Sequence, residues 1–384
     1  MTPAFDWSCP ARMVFGPGRV RELGALVAPW GQRCLLFTGA DPSRAEAALG
    51  SLRGAGLAVD IAPVSGEPTF DAVRAALGCA LAQGTELVVA VGGGSVIDAA
   101  KAVAMLLANG GDPMDYAEVI GRGMPITQPS IPWAAVPTTS GAGAEATRNA
   151  VLVDPASASK VSLRNPLMVA PLVVIDPALA VSLPPAVTAA TALDALSQLI
   201  EPFVSVRANP MTDALARAGI PLIVRSLARA CEQPDDLAAR GDLALAAWWS
   251  GLALANAGLG AVHGFAAAIG GRIAVPHGLV CARFLAPVGA ANIAALRRDG
   301  DPNGKLARYR DLAALLCGNP AAGEDEGVRW IEEFVRSLPL PALPELGHPE
   351  AIAEAALRSS SMKGNPVALG RDQLLDILAQ TAGR

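Results

Sequence analysis

Histidine is almost missing from this sequence: there are three in 384 residues. Aromatic side chains make up 4% and charged ones 17%, so a hydrophobic content of 52% is carried mainly by small aliphatic residues. That composition excludes intrinsic disorder, which needs low hydrophobicity and high net charge. A basic excess is also lacking, with 30 Lys and Arg against 35 Asp and Glu and a formal charge of −5. A general nucleic-acid binder would carry a basic footprint, so nucleic acid is not the expected partner. The six cysteines (Cys9, Cys34, Cys79, Cys231, Cys281 and Cys317) form no CxxC pair and read as reduced, mostly buried thiols rather than a disulfide framework. No signal peptide is expected, because Pro3 and Asp6 fall where one needs an apolar run.

Charge is absent altogether between Asp242 and Arg272, where the chain reads LALAAWWSGLALANAGLGAVHGFAAAIGG. A helix apolar on every side is either a membrane span or the core of a large soluble protein. Asn256, His263 and the many glycines favour the core. The expectation is a soluble cytoplasmic protein that does not engage a membrane.

The first half alternates β-branched runs with helical patterns. CLLFT (Cys34–Thr38), AVDIAPV (Ala58–Val64), ELVVAVGGG (Glu86–Gly94), AAVPTT (Ala134–Thr139) and LVVID (Leu172–Asp176) read as strands. Helical stretches follow the first three, which predicts a parallel sheet covered on both faces. From about Ser182 clear strands disappear and helices rich in Ala and Leu take over. The boundary falls near residues 178–182, giving an α/β domain over 1–180 and an all-helical domain over 181–384, with a ligand cleft expected between them.

Three local patterns carry chemistry. Gly92, Gly93, Gly94 and Ser95 end a strand and open a helix, where free N–H groups and the helix dipole favour phosphate. Read alone, the same segment serves equally as a structural turn. Asp98 and Lys101, on that helix, read most simply as a solvated ion pair. Thr138, Thr139 and Ser140, interleaved with glycine after the next strand, suit a pyrophosphate or ribose, and alone would suit an ordinary connection. Two such loops at strand ends of one sheet point to a dinucleotide. In the second half Asp194 and Gln198, four apart, share one helix face. His263 and His277, each followed by glycine in apolar surroundings, read either as satisfied core residues or, with a carboxylate nearby, as ligands of a divalent metal. His348, in ELGHPE, reads as a surface loop residue.

Together these segments resemble the iron-dependent (group III) alcohol dehydrogenases, relatives of glycerol dehydrogenase and maleylacetate reductase. The likeness runs from FGPGRVRELG through GGGSVIDAAKAVA, PTTSGAGAEAT, IDPALAVSLPP, DALSQLIEPFVS, NPMTDALA, HGFAAAIGG and PHG to SSMKGNPVAL, nearly the whole chain. It implies a Rossmann-like parallel-sheet domain followed by an all-α domain, the dehydroquinate synthase-like architecture, in a homodimer. It implies an NAD(P)-dependent enzyme that interconverts a small alcohol and its aldehyde or ketone with a divalent metal, Fe²⁺ or Zn²⁺. Carried over by position, Gly92, Gly93, Gly94 and Ser95 bind the pyrophosphate. Thr138, Thr139 and Ser140 line the remaining phosphate and ribose contacts, with Asp98, Asn149 and Lys160 near the cofactor. The metal set is Asp194, Gln198, His263 and His277, and the catalytic candidates are His263, His277 and Lys160.

Two departures stand out. Gln198 occupies a place where the family usually writes histidine, and Ala267 a place where many relatives carry the histidine credited with relaying a proton. Cofactor choice hinges on Gly39: NAD-preferring enzymes often place an acidic group there, and glycine with Ser43 and Arg44 nearby favours NADP, although Asp41 is close in sequence. Two alternatives follow. One is a maleylacetate-reductase-like enzyme acting on an oxo-acid without strict metal dependence, with Arg148, Lys160 and Arg272 as carboxylate partners. The other is a dinucleotide-binding protein without catalysis.

Overall fold

The computed structural model describes residues 4–118, 120–154 and 159–381. The chain separates into two compact units, one covering Ser8–Ser182 and the other running from Leu183 together with the described residues up to Trp7.

The first unit is built on a six-stranded sheet whose strands all run parallel. Its strands are β1 (Arg12–Phe15), β2 (Arg33–Gly39), β3 (Ala58–Val64), β4 (Leu87–Gly92), β5 (Trp133–Pro137) and β8 (Leu172–Ile175). A separate antiparallel hairpin pairs β6 (Asn149–Asp154) with β7 (Ser159–Arg164). The helices are α1 (Leu23–Val27), α2 (Glu46–Gly54), α3 (Phe70–Gln83), α4 (Gly94–Asn109) and α5 (Pro113–Tyr116). Across the sheet the order is β1-β8-β5-β4-β2-β3. β4 (LVVAVG) and β8 (LVVI) are buried throughout, as strands covered on both faces must be. Each Val or Leu fully removed from water there contributes about 1.5–3 kcal/mol.

Strand order fixes where this unit can take a ligand. From β2 the chain steps outward to β3, then crosses back over β2 to β4 and moves the other way to β5. The reversal lies between β2 and β4, so the crevice beyond their carboxyl ends is the topological switch point. Gly39 ends β2 and Gly92 ends β4. Toward the β1 edge of the sheet, buried Asp176 accepts the N–H groups of Gly18, Val20 and Ala178, tying the FGPG loop to the IDPA turn.

The five expected strands all form, with bounds shifted by a residue or two. Strand β1 and the β6–β7 hairpin were not expected. No described residue of the second unit lies in a strand. That unit contains α6 (Pro185–Val204), α7 (Pro210–Glu232), α8 (Leu237–Ala257), α9 (Ala261–Gly270), α10 (His277–Asp299), α11 (Lys305–Cys317), α12 (Glu324–Ser337), α13 (Pro349–Arg358) and α14 (Arg371–Thr381). The long uncharged run is not one helix. It breaks at Gly258–Gly260, where Gly258 takes φ +71°, and α8 and α9 meet at 99°. One described helix, α10, is long and apolar enough by itself to cross a membrane, and most of its apolar stretch is buried.

Candidate metal and dinucleotide sites

Gly93 caps α4 and the helix begins at Gly94, so Ser95 lies in its first turn with the orphan N–H groups of the helix start. Gly92 is a steric necessity: a Cβ there would come within 2.5 Å of the Val96 side chain. A Cβ on Gly94 would press on Ala142 at 3.1 Å, and one on Gly93 would touch Thr139 at 3.4 Å. The Gly92–Ser95 turn and the Thr138–Gly143 loop are therefore packed on each other, and the Thr138 N–H donates to the Gly92 carbonyl at 3.0 Å.

Lys101 is not solvated. Its side chain is fully buried, and its ammonium donates to the carbonyls of Ala144, Thr147 and Asn149 and to Thr147 Oγ1 at 2.7–3.0 Å. The sequence reading of a surface ion pair fails because the Ala144–Asn149 backbone supplies the acceptors that water would otherwise provide. Asp98 Oδ2 accepts from the Val151 N–H at 3.0 Å, while its buried Oδ1 has no hydrogen-bond partner among the described residues and lies 3.9 Å from Lys101 Nζ. Burial, opposed by Lys101 and by the bond from Val151, raises the Asp98 carboxyl to about 6. Burial lowers Lys101 to about 8 and raises buried Glu145 to about 7.

Asn149 and Lys160 sit on the hairpin but not side by side. Asn149 pairs with Arg164, and Lys160 pairs with Val153 near the other end. The Lys160 ammonium is held by Glu67 at 2.9 Å. Beyond β2 a Cβ on Gly39 would meet nothing within 4 Å. Exposed Asp41 caps its own turn, accepting from both the N–H and the hydroxyl of Ser43, and its pKa is lowered mainly by those bonds. Arg44 reaches Ser182 Oγ at 3.2 Å.

The second site comes from three helices. Asp194, Gln198 and Glu201 occupy one face of α6 at i, i+4 and i+7. His263 lies in the first turn of α9, and α10 opens with His277 and carries Cys281 one turn on. The glycine after each histidine is there for packing. A Cβ on Gly278 would overlap the Ala190 carbonyl oxygen at 2.2 Å, and one on Gly264 would sit 2.8 Å from Met362 Sδ. Ligand atoms of Asp194, His263, His277 and Cys281 all lie within 4.8 Å of one another. His263 Nε2 is 3.2 Å and His277 Nε2 3.8 Å from Asp194 Oδ1, and Cys281 Sγ is 3.8 Å from His263 Nε2. Zinc–nitrogen bonds of about 2.0 Å and zinc–sulfur bonds of about 2.3 Å set tetrahedral edges of roughly 3.3–3.6 Å, so these three separations come close to what one small divalent ion needs.

Residues behind the cluster aim it. Glu201 Oε2 binds His263 Nδ1 at 2.5 Å, leaving Nε2 directed at Asp194, the carboxylate–histidine arrangement typical of metal ligands. Glu201 Oε1 accepts the Val262 N–H and Asn365 Oδ1 the Ala261 N–H, capping α9 from outside the helix. Burial opposes a charged His263, but Cys281, Glu201 and Asp194 outweigh it and hold its pKa well above the ordinary value. Burial likewise opposes ionisation of Asp194, and His277 and His263 outweigh it, leaving the carboxyl below the usual range. Burial pushes the Cys281 thiol up to about 12.

Family models place the chain that carries these two sites. Residues 10–177 match the model for iron-containing alcohol dehydrogenase, and residues 188–382 match the C-terminal model of the same family. The chain belongs to the iron-containing alcohol dehydrogenase family. Alcohol dehydrogenase 4 of Saccharomyces cerevisiae (strain ATCC 204508 / S288c) is 35% identical over 81% of this chain and 80% of its own length. The NAD-dependent methanol dehydrogenase of Bacillus methanolicus is 31% identical over 93% and 94%. The crystal structure of a 1,3-propanediol oxidoreductase superposes with a TM-score of 0.90, at 30% identity, covering 99% of this chain and 100% of the other.

Within that family framework the site residues divide clearly. The structure brings Asp194, His263 and His277 together. It sets Gln198 beside them with its amide nitrogen toward the cluster and its oxygen away: Nε2 donates to Asp194 Oδ1 at 3.1 Å, and Oε1 accepts from Ser250 Oγ at 2.9 Å. Ala267, one turn beyond His263, is exposed. Sequence reasoning missed Glu201, Asn365 and Cys281. The signals were a carboxylate seven residues after Asp194 and a cysteine four after His277, both on ligand-bearing faces.

Proposed function

We propose that the protein is an NAD(P)-dependent dehydrogenase that interconverts a small alcohol and its aldehyde or ketone by hydride transfer, using a divalent metal held by Asp194, His263 and His277. The observation that carries this reading is the orientation of buried His263, whose Nδ1 is fixed by Glu201 so that Nε2 joins the cluster. Bound there, the ion supplies Lewis acidity toward the substrate oxygen. Asp194 and the two imidazoles hold it, Glu201 sets the His263 tautomer, and Gln198 orients the Asp194 carboxylate. At the other site the α4 N-terminus and the Gly92–Ser95 turn receive the pyrophosphate, Thr138, Thr139 and Ser140 flank it, and Asp98 Oδ1 remains as an unused acceptor. Asn149 and Lys160 belong to the same cofactor proposal. The dinucleotide carries the hydride, and the protein supplies binding and orientation.

NADP is the preferred dinucleotide in this reading. Gly39 leaves open space at the end of β2, Asp41 is tied to its own turn, and Arg44 is exposed nearby. A cytoplasmic location and a homodimer complete the proposal on the family resemblance alone. The test is His277→Ala in the full chain, which should lose both bound metal and most turnover with NADPH. Wild-type turnover by that variant after chelation would remove the metal from the mechanism. Lower kcat/KM with NADPH than with NADH in the wild-type enzyme would reverse the cofactor assignment.

A further inference from the structure

We propose that Cys281 is itself a metal ligand, so that the site is an Asp–His–His–Cys set selecting zinc over ferrous iron, with Cys281 replacing the donor that Gln198 no longer provides. This rests on the reading that Asp194, His263 and His277 hold a divalent ion. The two positions are linked by geometry. Residue 198 is on α6 and residue 281 on α10, yet both side chains reach the same cluster: Gln198 Nε2 touches Asp194 Oδ1, and Cys281 Sγ lies 3.8 Å from His263 Nε2. The amide group facing the cluster is the nitrogen, which has no lone pair to give a cation, and its oxygen is engaged by Ser250. Cys281 is fully buried, one turn after His277 and on the same helix face.

Chemistry explains why the exchange suits the ion. A thiolate is a softer donor than imidazole or carboxylate, and mixed sulfur and nitrogen tetrahedral sets select zinc. Among the ligands, Asp194 and a Cys281 thiolate carry two negative charges that match a divalent ion, while buried Glu201 is engaged by His263 Nδ1 and the Val262 N–H. Coordination sends the thiol proton to solvent, one per ion bound. Gln198, freed from ligation, acts as a positioning residue that holds Asp194.

The experiment uses the full chain stripped of metal and titrated with Co²⁺. Wild type should bind one equivalent and show sulfur-to-cobalt charge-transfer absorption in the near ultraviolet. Cys281→Ser should bind Co²⁺ without that absorption, should hold zinc about tenfold more weakly, and should lose its preference for zinc over Fe²⁺ in elemental analysis. Gln198→Ala should keep the absorption. The proposal is overturned if wild type binds Co²⁺ without the band, or if the band survives in Cys281→Ser, which would place it at one of the other five cysteines. Failure of wild type to bind any stoichiometric metal would instead overturn the metal reading on which this one rests. Should Cys281→Ser not fold, X-ray absorption of the zinc-loaded wild type decides: a sulfur neighbour at about 2.3 Å supports the proposal, and nitrogen and oxygen neighbours alone overturn it.

Discussion

The two candidate sites are made by opposite means. The dinucleotide crevice is mostly backbone: a Gly92 too crowded to carry a Cβ, a helix start with free N–H groups, and a loop packed on them. Its residues come from short contiguous stretches. The metal cluster is made of side chains drawn from three helices, and its members span from Asp194 to Cys281. A backbone site depends on local conformation and tolerates exchange of exposed side chains. A side-chain site depends on how helices pack, so a donor lost on one helix can be replaced by a donor on another.

Four substitutions test that contrast. The largest effect is expected from His263→Ala, which removes a donor and leaves Glu201 buried without its partner. Loss of several kcal/mol of transition-state stabilisation corresponds to on the order of 10³-fold in kcat/KM, with bound metal lost in elemental analysis. Dinucleotide affinity, measured by fluorescence titration, should stay near wild type, and a comparable fall there would mean that the two sites are not separately built.

Lys101→Met comes next. It removes the donor from the carbonyls of Ala144, Thr147 and Asn149 and should cost roughly 3 kcal/mol in chemical denaturation. The loosened loop should also raise the dinucleotide KM several-fold while leaving metal content unchanged. Glu201→Gln is a smaller perturbation that keeps shape but weakens the hold on His263 Nδ1. Metal affinity should fall about tenfold in a competition assay, and unchanged affinity would show that α9 packing alone orients the histidine.

The smallest effect is in pH dependence. Asp98 is raised in the folded protein from the usual 3.8 to about 6, because burial disfavours its charge. The folded state therefore binds that proton more tightly than the unfolded chain. The resulting stability is complete below the unfolded pKa and is lost as pH rises through the folded one. Asp98→Asn has no such titration, so its stability relative to wild type should improve by on the order of 1–2 kcal/mol between about pH 4 and pH 6. A flat difference across that window would show that Asp98 is not desolvated.

How much was legible follows the same division. Runs such as LVVAVG and LVVI announce themselves because a strand buried on both faces can hold little else. Strand β1 is only four residues long, at the sheet edge, with its first two positions exposed, so periodicity had little to register. The family likeness pointed to Asp194, His263 and His277, which the structure brings together, and to Gln198, whose amide nitrogen faces Asp194; position alone says nothing about which end of an amide faces a neighbour. Cys281 passed for one more scattered thiol. Its place beside His277 depends on α10 starting at that histidine, which sets both side chains on one face one turn apart.

Lys101 also constrains how such a sequence can change over generations. Three loop carbonyls converge on one buried ammonium, so a loop variant that rotates any of them strands a charge where water cannot reach. A lysine lost first would leave three carbonyls facing nothing. Loop and lysine therefore have to drift as a unit. A loop grafted here from another member of the family should be accepted only when its own partner for residue 101 travels with it.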